Sequence, residues 1–183
     1  MRKINEIFYS LQGEGFHTGT PAVFIRFSGC NLRCPFCDTR HEEGTFMSDE
    51  QLIEALADYP CRMVILTGGE PSLWIDEALI ERLHQAGKYI CIETNGTHPL
   101  PQGIDWITCS PKQGTHLALT RANELKIVLT DNTAPEHWLT QIQADHLFLQ
   151  PCSCQNTEQV VDYILLHPHW RLSLQTHKYL HIR

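Results

Sequence analysis

Seven short apolar runs, several of them separated by amphipathic segments, constrain the fold of this 183-residue chain more than any other feature. The runs are β-branched or aromatic and mostly continuous in apolar character, which is typical of strands that a parallel sheet buries on both faces. Parallel neighbours need crossover connections, so the alternation predicts an α/β fold around a parallel sheet. The predicted strands are residues 22–27, 62–66, 88–93, 104–108, 124–129, 145–149 and 170–175.

The segments between the runs predict four helices and leave one connection without a helix. Ser48 followed by Gln51 is a capping-box pattern at the start of the first helix. Residues 111–123 show no convincing helical pattern. Because a closed eight-stranded barrel typically takes about 250 residues, we expect one domain, residues 1–183, with a shortened, partial (β/α) TIM-like barrel. The predicted helices are residues 49–59, 75–86, 135–143 and 157–166.

Polar motifs follow six of the predicted strands at their C-terminal ends. In α/β barrels the chemistry is built on that rim. Any one of these motifs is most simply an ordinary polar turn, but six on the same rim predict an active site. The motifs are the cysteine loop after residue 27 and the segments 67–71, 93–96, 110–112, 150–151 and 175–178.

The cysteine loop contains Cys30, Cys34 and Cys37 in the spacing C-x3-C-x2-C. Three thiolates on a four-iron cubane leave one iron open to a substrate or cofactor, because such clusters normally take four thiolates. A zinc site with His41 as the fourth ligand is an alternative that the loop alone does not exclude. A disulfide framework would require an oxidising compartment, and the N-terminus shows no apolar leader. We therefore expect a cytoplasmic protein with reduced thiols and no membrane segment.

The formal net charge of −7, with no cluster of Lys and Arg, disfavours direct nucleic-acid binding and favours a small-molecule substrate. Five further cysteines lie outside the loop. Cys61, Cys91 and Cys109 sit at or near apolar runs and are interpreted as small buried hydrophobic residues. Cys152 and Cys154 hint at a second cluster, but no further cysteine lies near them in the sequence.

Arg26 lies inside the first apolar run. Strand alternation places it on the same face as Phe24, opposite Val23, Ile25 and Phe27. An arginine in such a strand is costly to bury unless it meets an anion. One interpretation is a structural pair with a carboxylate of the protein. The other is a clamp for a substrate carboxylate, since a guanidinium matches a carboxylate in two parallel hydrogen bonds.

The segment Gln12-Gly13-Glu14-Gly15 predicts a tight turn that carries two side chains able to hydrogen-bond the edge of a heterocycle. The glycines of Thr67-Gly68-Gly69-Glu70-Pro71 let the backbone approach a ligand closely, and its carbonyls and carboxylate suit a cationic ammonium group.

Taken together, these motifs resemble those of radical S-adenosylmethionine (SAM) enzymes and, within them, the 7-carboxy-7-deazaguanine synthase family. The resemblance implies a radical SAM barrel with a [4Fe–4S] cluster, SAM chelated at the open iron, and a lyase reaction. That reaction turns 6-carboxy-5,6,7,8-tetrahydropterin into 7-carboxy-7-deazaguanine with loss of ammonia, supported by Mg²⁺ in a homodimer. The matching segments are EIFYSLQGEG (6–15), FIRFSGCNLRCPFCDT (24–39), TGGEP (67–71), ETNG (93–96), SPK (110–112) and LQTHK (174–178).

The resemblance also implies roles for individual residues. Thr39 would offer its hydroxyl to Mg²⁺. Some family members end in a residue whose own carboxylate reaches the substrate, and the end of this chain at Arg183 leaves that contact open. The implied cluster ligands are Cys30, Cys34 and Cys37; the SAM contacts are Phe36, Cys37, Asp38, Gly69, Ser110, Pro111, Lys112 and Gln150; the pterin contacts are Leu11, Gln12, Gly13, Arg26 and Thr67.

Three alternatives compete with this interpretation. Another radical SAM enzyme, such as a glycyl-radical activase, would not need the Gln12–Gly15 segment together with Arg26. A non-enzymatic iron–sulfur or zinc protein would not need the polar motifs at the strand ends. A direct role on tRNA is disfavoured by the acidic charge balance. The expected partners are a pterin substrate, an electron donor such as flavodoxin and a second copy of the chain.

Overall fold

A single mixed sheet with helices packed on one face forms the fold. The computed structural model describes residues 1–37, 39 and 41–183. The strands are β1 (Arg2–Leu11), β2 (Pro21–Phe27), β3 (Thr45–Met47), β4 (Met63–Gly68), β5 (Tyr89–Thr94), β6 (Trp106–Cys109), β7 (Arg121–Leu129), β8 (Gln143–Pro151) and β9 (Arg171–Leu172). The helices are α1 (Asp49–Ala57), α2 (Glu77–Gln85), α3 (Pro135–Trp138), α4 (Thr157–Leu166) and α5 (Thr176–Leu180), with short 3₁₀ segments at Pro71–Leu73 and Cys152–Cys154.

The strand order is β3-β1-β2-β4-β5-β6-β7-β8-β9. Every neighbouring pair from β2 to β9 is parallel, whereas β1 is antiparallel to both β2 and β3. Among the described residues the edge strands β3 and β9 do not pair with each other, so the sheet is not closed. The expectation of a partial barrel is thus confirmed.

All seven predicted strands are present, but one of them and one predicted helix are much shorter than expected. The last one shrinks from 170–175 to β9, and the predicted helix 135–143 shrinks to α3. The helix predicted at 157–166 has those bounds, and 111–123 contains no helix, as expected. β1, β3 and α5 were not predicted from the sequence. In β1 the sequence RKINEIFYSL mixes charged and apolar residues on a half-exposed strand, so no apolar run announces it.

The two faces of β2 separate the helix layer from the concave side of the sheet. Val23, Ile25 and Phe27 are fully buried in the cluster formed with α1 and α2. Phe24 faces the opposite way and stacks on Phe8 with 4.8 Å between the ring centroids. This confirms the alternation from which the face of Arg26 was predicted. None of the described residues forms a helix long and apolar enough to cross a membrane.

Of the three cysteines outside the loop that were predicted to be buried, two are buried in the structure. Cys91 and Cys109 are buried, and burial raises the pKa of the Cys91 thiol well above its usual range and that of Cys109 to about 12. Cys61 is only half-buried, because it lies in the turn before β4 rather than inside a strand. The prediction of a buried residue was therefore wrong for Cys61.

The loop between β1 and β2 bridges the open side of the sheet. Thr176, at the start of α5, donates its amide to the carbonyl of Gly13 over 2.9 Å. The amide of Gly15 donates to the hydroxyl of Ser173 over 2.9 Å. The first and last parts of the chain therefore meet through this loop, although the edge strands do not pair.

Arg2 fixes the starts of two helices to β1. Its Nε donates to Asp49 Oδ1, in the first turn of α1, and its Nη2 donates to Asp76 Oδ1, each over 2.8 Å. Asp76 is the N-cap of α2 and also accepts from the amide of Leu79. Because the arginine is buried, its loss would leave two carboxylates without their cation.

We predict that Arg2→Met lowers the free energy of unfolding by about 3 kcal/mol, since removing one partner of a buried ion pair leaves the other charge uncompensated. Urea unfolding of the cluster-free protein, followed by circular dichroism, measures this change. The control is Arg121→Met, whose exposed pair with Asp145 contributes less than about 1 kcal/mol. Equal effects of the two substitutions would contradict the assignment.

Candidate active site

A cavity of about 610 Å³ opens at the C-terminal ends of the parallel strands. Its wall includes Gly68 at the end of β4, Thr94 at the end of β5, Val128 near the end of β7 and Gln150 near the end of β8. The sheet brings these ends to one rim because the strands are parallel and in register. The cavity lies where the sequence analysis expected the chemistry.

Most of the predicted site residues line this cavity. Pro111 is buried and is not part of the wall, although its neighbours Ser110 and Lys112 are. Asp38 lies outside the described residues. The predicted residues that do line the cavity are Leu11, Gln12, Gly13, Arg26, Cys30, Cys34, Phe36, Cys37, Thr39, Thr67, Gly69, Ser110, Lys112 and Gln150.

The cysteine loop is held against the turn after β4. The amide of Glu70 donates to the carbonyl of Gly29 over 2.9 Å, and the indole of Trp74 donates to the carbonyl of Ser28 over 2.6 Å. A Cβ atom on Gly69 would lie only 1.9 Å from the Gly29 carbonyl oxygen. A glycine is therefore required at position 69 for the two loops to pack this closely.

The carboxylate of Glu70 joins the second and third motifs. It accepts hydrogen bonds from the hydroxyl of Thr94 over 2.7 Å, the amide of Asn95 over 2.8 Å and the amide of Ser72 over 3.0 Å. Only 1% of the residue is exposed. Both carboxylate oxygens are thus occupied within the protein, so Glu70 positions the rim rather than offering a free anion.

The three loop cysteines carry free thiols at the cavity wall. Cys30 and Cys34 are half-buried, and burial raises the pKa of both thiols, whereas Cys37 is exposed. In the described part of the chain no three His, Cys, Asp or Glu side chains are already close enough to hold a metal ion. Three unpaired thiols on one loop beside an open cavity are nevertheless the donor set of a cluster with one free iron. The alternative zinc ligand His41 does not line the cavity.

Lys112 is a half-buried cation beside this loop. Its Nζ donates to the carbonyl of Ser110 over 2.6 Å and to the hydroxyl of Ser110 over 2.7 Å. Burial lowers the pKa of Lys112, although the nearby Cys34 partly offsets this. A half-buried ammonium at a cavity wall favours an anionic group on the ligand.

A second cation, Lys126, is buried and organises the other polar residues of the cavity. Its Nζ lies 2.7 Å from Glu14 Oε2 and 2.8 Å from Glu93 Oε2. Gln12 donates to Glu93 over 3.1 Å, and Gln175 donates to Glu14 over 2.9 Å. All five side chains line the cavity. They form a preorganised group of donors and acceptors drawn from β5, β7, the β1–β2 loop and the start of α5.

The two carboxyl groups beside Lys126 differ in their pKa. Burial raises the pKa of Glu93 to about 7, despite the opposing charge of Lys126, and the carboxylates of Glu124 and Glu14 add to the increase. Burial also acts on Glu14, but Lys126 and the hydrogen bond from Gln175 outweigh it and lower the pKa of Glu14 to about 2. Glu14 is therefore an acceptor at neutral pH, while Glu93 titrates near neutrality.

Sequence reasoning missed Lys126. The signal was present, because the residue lies inside the apolar run of 124–129, as Arg26 lies inside its own run. A charged residue in a buried strand indicates a specific partner wherever it occurs. Glu93 was noted only as part of a polar motif, and its raised pKa depends on neighbours from β7 and from the β1–β2 loop.

Arg26 forms the structural pair that was one of its two interpretations, and it also lies at the cavity wall. Its Nε lies 2.8 Å from Glu6 Oε1, which is the structural pair. Its Nη1 donates to the hydroxyl of Thr39 over 3.4 Å, and its guanidinium carbon lies 5.5 Å from the centre of the Phe8 ring. Arg26, Glu6 and Thr39 all line the cavity. The guanidinium is therefore placed where a ligand can reach it.

The comparisons with known proteins agree with this geometry. Residues 24–123 match the Radical SAM superfamily. The 7-carboxy-7-deazaguanine synthase of Bacteroides thetaiotaomicron is 66% identical over 183 residues, covering 100% of both chains, and that of Bradyrhizobium diazoefficiens is 42% identical over 98% of both. The crystal structure of QueE from Escherichia coli matches with a TM-score of 0.81 and 32% identity, covering 94% of this chain and 93% of that one. The chain therefore belongs to the 7-carboxy-7-deazaguanine synthase family of the radical SAM superfamily.

Proposed function

We propose that this enzyme is a lyase that converts 6-carboxy-5,6,7,8-tetrahydropterin to 7-carboxy-7-deazaguanine with loss of ammonia. The observation that carries the proposal is a single cavity containing both the cysteine loop and the polar group around Lys126. A radical generated at one part of the cavity would meet a heterocycle held at the other. An activase for a glycyl radical has no need of the buried carboxyl groups Glu14 and Glu93.

As a radical SAM enzyme, the protein uses a [4Fe–4S] cluster and SAM, whose reductive cleavage supplies a hydrogen-abstracting radical. We assign the cluster to Cys30, Cys34 and Cys37. Lys112 is suited to the carboxylate of SAM, because it is a half-buried cation at the cavity wall close to Cys34. The remaining SAM contacts are assigned to the loop and rim residues Phe36, Asp38, Gly69, Ser110, Pro111 and Gln150, with Pro111 contributing by shaping the turn.

The pterin is held by the side chains that surround Lys126. An ionised Glu14 accepts a hydrogen bond, while a protonated Glu93 donates one. The amide side chain of Gln12, already paired with Glu93, orients that carboxyl group. Because the amide and amine edge of a pterin contains both donors and acceptors, a pair of carboxyl groups in opposite protonation states matches it. Leu11, Gly13 and Thr67 complete the wall.

Mg²⁺ is assigned to the hydroxyl of Thr39. Mg²⁺ keeps several of its waters and binds through few protein ligands together with substrate oxygens, so a single hydroxyl at a cavity wall is a sufficient anchor. Arg26 lies 3.4 Å from this hydroxyl. Because Mg²⁺ and the guanidinium group repel each other, a carboxylate must lie between them. The carboxylate of the pterin would supply it.

We also propose the domain content, cellular location and partners of the enzyme. We infer a single domain spanning residues 1–183, a cytoplasmic location, a homodimer and an electron donor such as flavodoxin. The family to which the chain belongs and the need of a radical SAM reaction for one electron support these inferences. The acidic net charge of −7 supports a small-molecule substrate over direct action on tRNA.

Cys34→Ala is expected to abolish both 5′-deoxyadenosine and 7-carboxy-7-deazaguanine, because the cluster loses one of its three thiolates. The assay uses anaerobically reconstituted protein with SAM, Mg²⁺, a reductant and 6-carboxytetrahydropterin, followed by mass spectrometry. Cys61→Ala is the control, since Cys61 lies before β4 and does not line the cavity. Formation of 5′-deoxyadenosine without the deazapurine in the unsubstituted enzyme would refute the proposed substrate while keeping the superfamily chemistry.

Thr39→Val is expected to remove the stimulation of product formation by Mg²⁺ and to leave cluster absorbance unchanged, because valine has a similar shape but no oxygen ligand. Turnover is measured with and without Mg²⁺ in both proteins. An unchanged response to Mg²⁺ in the variant would place the ion elsewhere. Thr140→Val, which removes an exposed hydroxyl that does not line the cavity, is the matched control.

The raised pKa of Glu93 predicts a pH dependence of ligand binding. Below about pH 7 the carboxyl group is protonated and donates; above it the carboxylate adds a second negative charge beside Glu14. Affinity for 6-carboxypterin is therefore expected to fall above pH 7, approaching about tenfold per pH unit for one linked proton. Glu93→Gln is expected to flatten this profile between pH 6 and 7.8. Fluorescence titration of the cluster- and SAM-loaded enzyme measures it, and an identical slope in the variant would assign the titration to another group.

A further inference from the structure

The side chain of Arg183 returns to the cavity from the last position of the sequence. Its Nη2 lies 2.5 Å from Glu6 Oε2, and its guanidinium carbon lies 5.3 Å from the centre of the Phe8 ring. The hydroxyl of Ser10 donates to the backbone oxygen of Arg183 over 2.6 Å. Arg183 lines the same cavity as Arg26, although 71% of its side chain is exposed.

Arg26 and Arg183 are bound in nearly equivalent ways. Each guanidinium contacts one oxygen of the same carboxylate, with Arg26 on Glu6 Oε1 and Arg183 on Glu6 Oε2. Each also lies between 5 and 6 Å from the same ring, with 5.5 Å for Arg26 and 5.3 Å for Arg183. Phe8 thus serves as a common platform for two guanidinium groups, which such rings attract.

The two guanidinium groups keep hydrogen-bond donors that Glu6 does not use. They share its carboxylate at the cavity wall, each through one contact. A guanidinium can bind a carboxylate through two parallel hydrogen bonds, and each arginine uses only part of its five donors on Glu6. A second carboxylate entering beside Phe8 would occupy these remaining donors.

We propose that Arg183 is a second substrate-positioning residue, which together with Arg26 forms a two-arginine clamp on the carboxylate of the ligand. The inference rests on the proposed function, because it concerns the carboxylate of the same pterin. Glu6 holds both guanidinium groups at the wall of the cavity, and the incoming carboxylate completes the pairing. The clamp distinguishes 6-carboxylated pterins from pterins that lack this group.

The test compares two fluorescent ligands that do not turn over, 6-carboxypterin and unsubstituted pterin, titrated into the enzyme loaded with cluster and SAM. Arg183→Gln is expected to weaken binding of 6-carboxypterin by about tenfold, the effect of losing a hydrogen bond between charged groups. Binding of unsubstituted pterin is expected to stay unchanged. Arg183→Lys keeps the charge but loses the planar guanidinium group. Its affinity for 6-carboxypterin is expected to lie between those of the unsubstituted enzyme and Arg183→Gln. In turnover, Arg183→Gln should raise KM for the carboxylated substrate more than it lowers kcat.

The matched control is Arg171→Gln. Arg171 also lies over an aromatic ring, with its guanidinium carbon 4.8 Å from the centre of Phe148, but it does not line the cavity. Its loss is expected to leave both affinities unchanged. Equal weakening of both ligands by Arg183→Gln would show that the residue only stabilises the wall and would overturn the proposal, as would no weakening of either. Failure of the unsubstituted enzyme to bind any pterin would overturn the proposed function itself and the clamp with it.

Discussion

The buried carboxylate of Glu70 is the contact on which the geometry of the site depends. It sits in the turn after β4 and accepts hydrogen bonds from its own turn and from two groups at the end of β5. The amide of the same residue binds the carbonyl of Gly29, next to Cys30 in the cysteine loop. One residue therefore sets three loops relative to one another. A buried carboxylate with all its hydrogen bonds satisfied tolerates little displacement, since an unpaired buried charge is costly.

Lys126 plays the corresponding part for the polar side of the cavity. One ammonium group stands between Glu14 and Glu93, with the carboxyl group of Glu124 close enough to influence their titration. Three carboxyl groups around one lysine cannot all ionise at low cost in a buried site. Glu14 is the one whose pKa is lowered, chiefly by the charge and hydrogen bond of Lys126 and further by the hydrogen bond from Gln175. The arrangement thereby creates one donor and one acceptor from chemically identical side chains.

The sequence predicted the parallel strands and the rim more reliably than the contacts at that rim. Continuous apolar runs and the capping box of α1 are local signals, and the capping box at Ser48 is present with both hydrogen bonds. The N-terminal strand β1 was not predicted, because its stability comes from pairing on both sides and from the ion pairs of Arg2 with Asp49 and Asp76. Both of these partners lie far along the chain. The partners of Lys126 were not predicted for the same reason, which is distance along the chain: Glu14 precedes Lys126 by 112 residues.

The β1–β2 loop explains how so short a barrel encloses a cavity. With the edge strands unpaired in the described chain, the gap between the two ends of the sheet needs another cover. The loop supplies it, because Gly13 and Gly15 bind the segment after β9 while Glu14 reaches Lys126 at the cavity wall. A side chain at Gly13 would collide with His177, whose Nδ1 would lie 2.2 Å from the added Cβ. The residues proposed to bind the pterin are thus on the segment that covers the gap, so closure of the fold also places Gln12, Gly13 and Glu14 at the cavity wall.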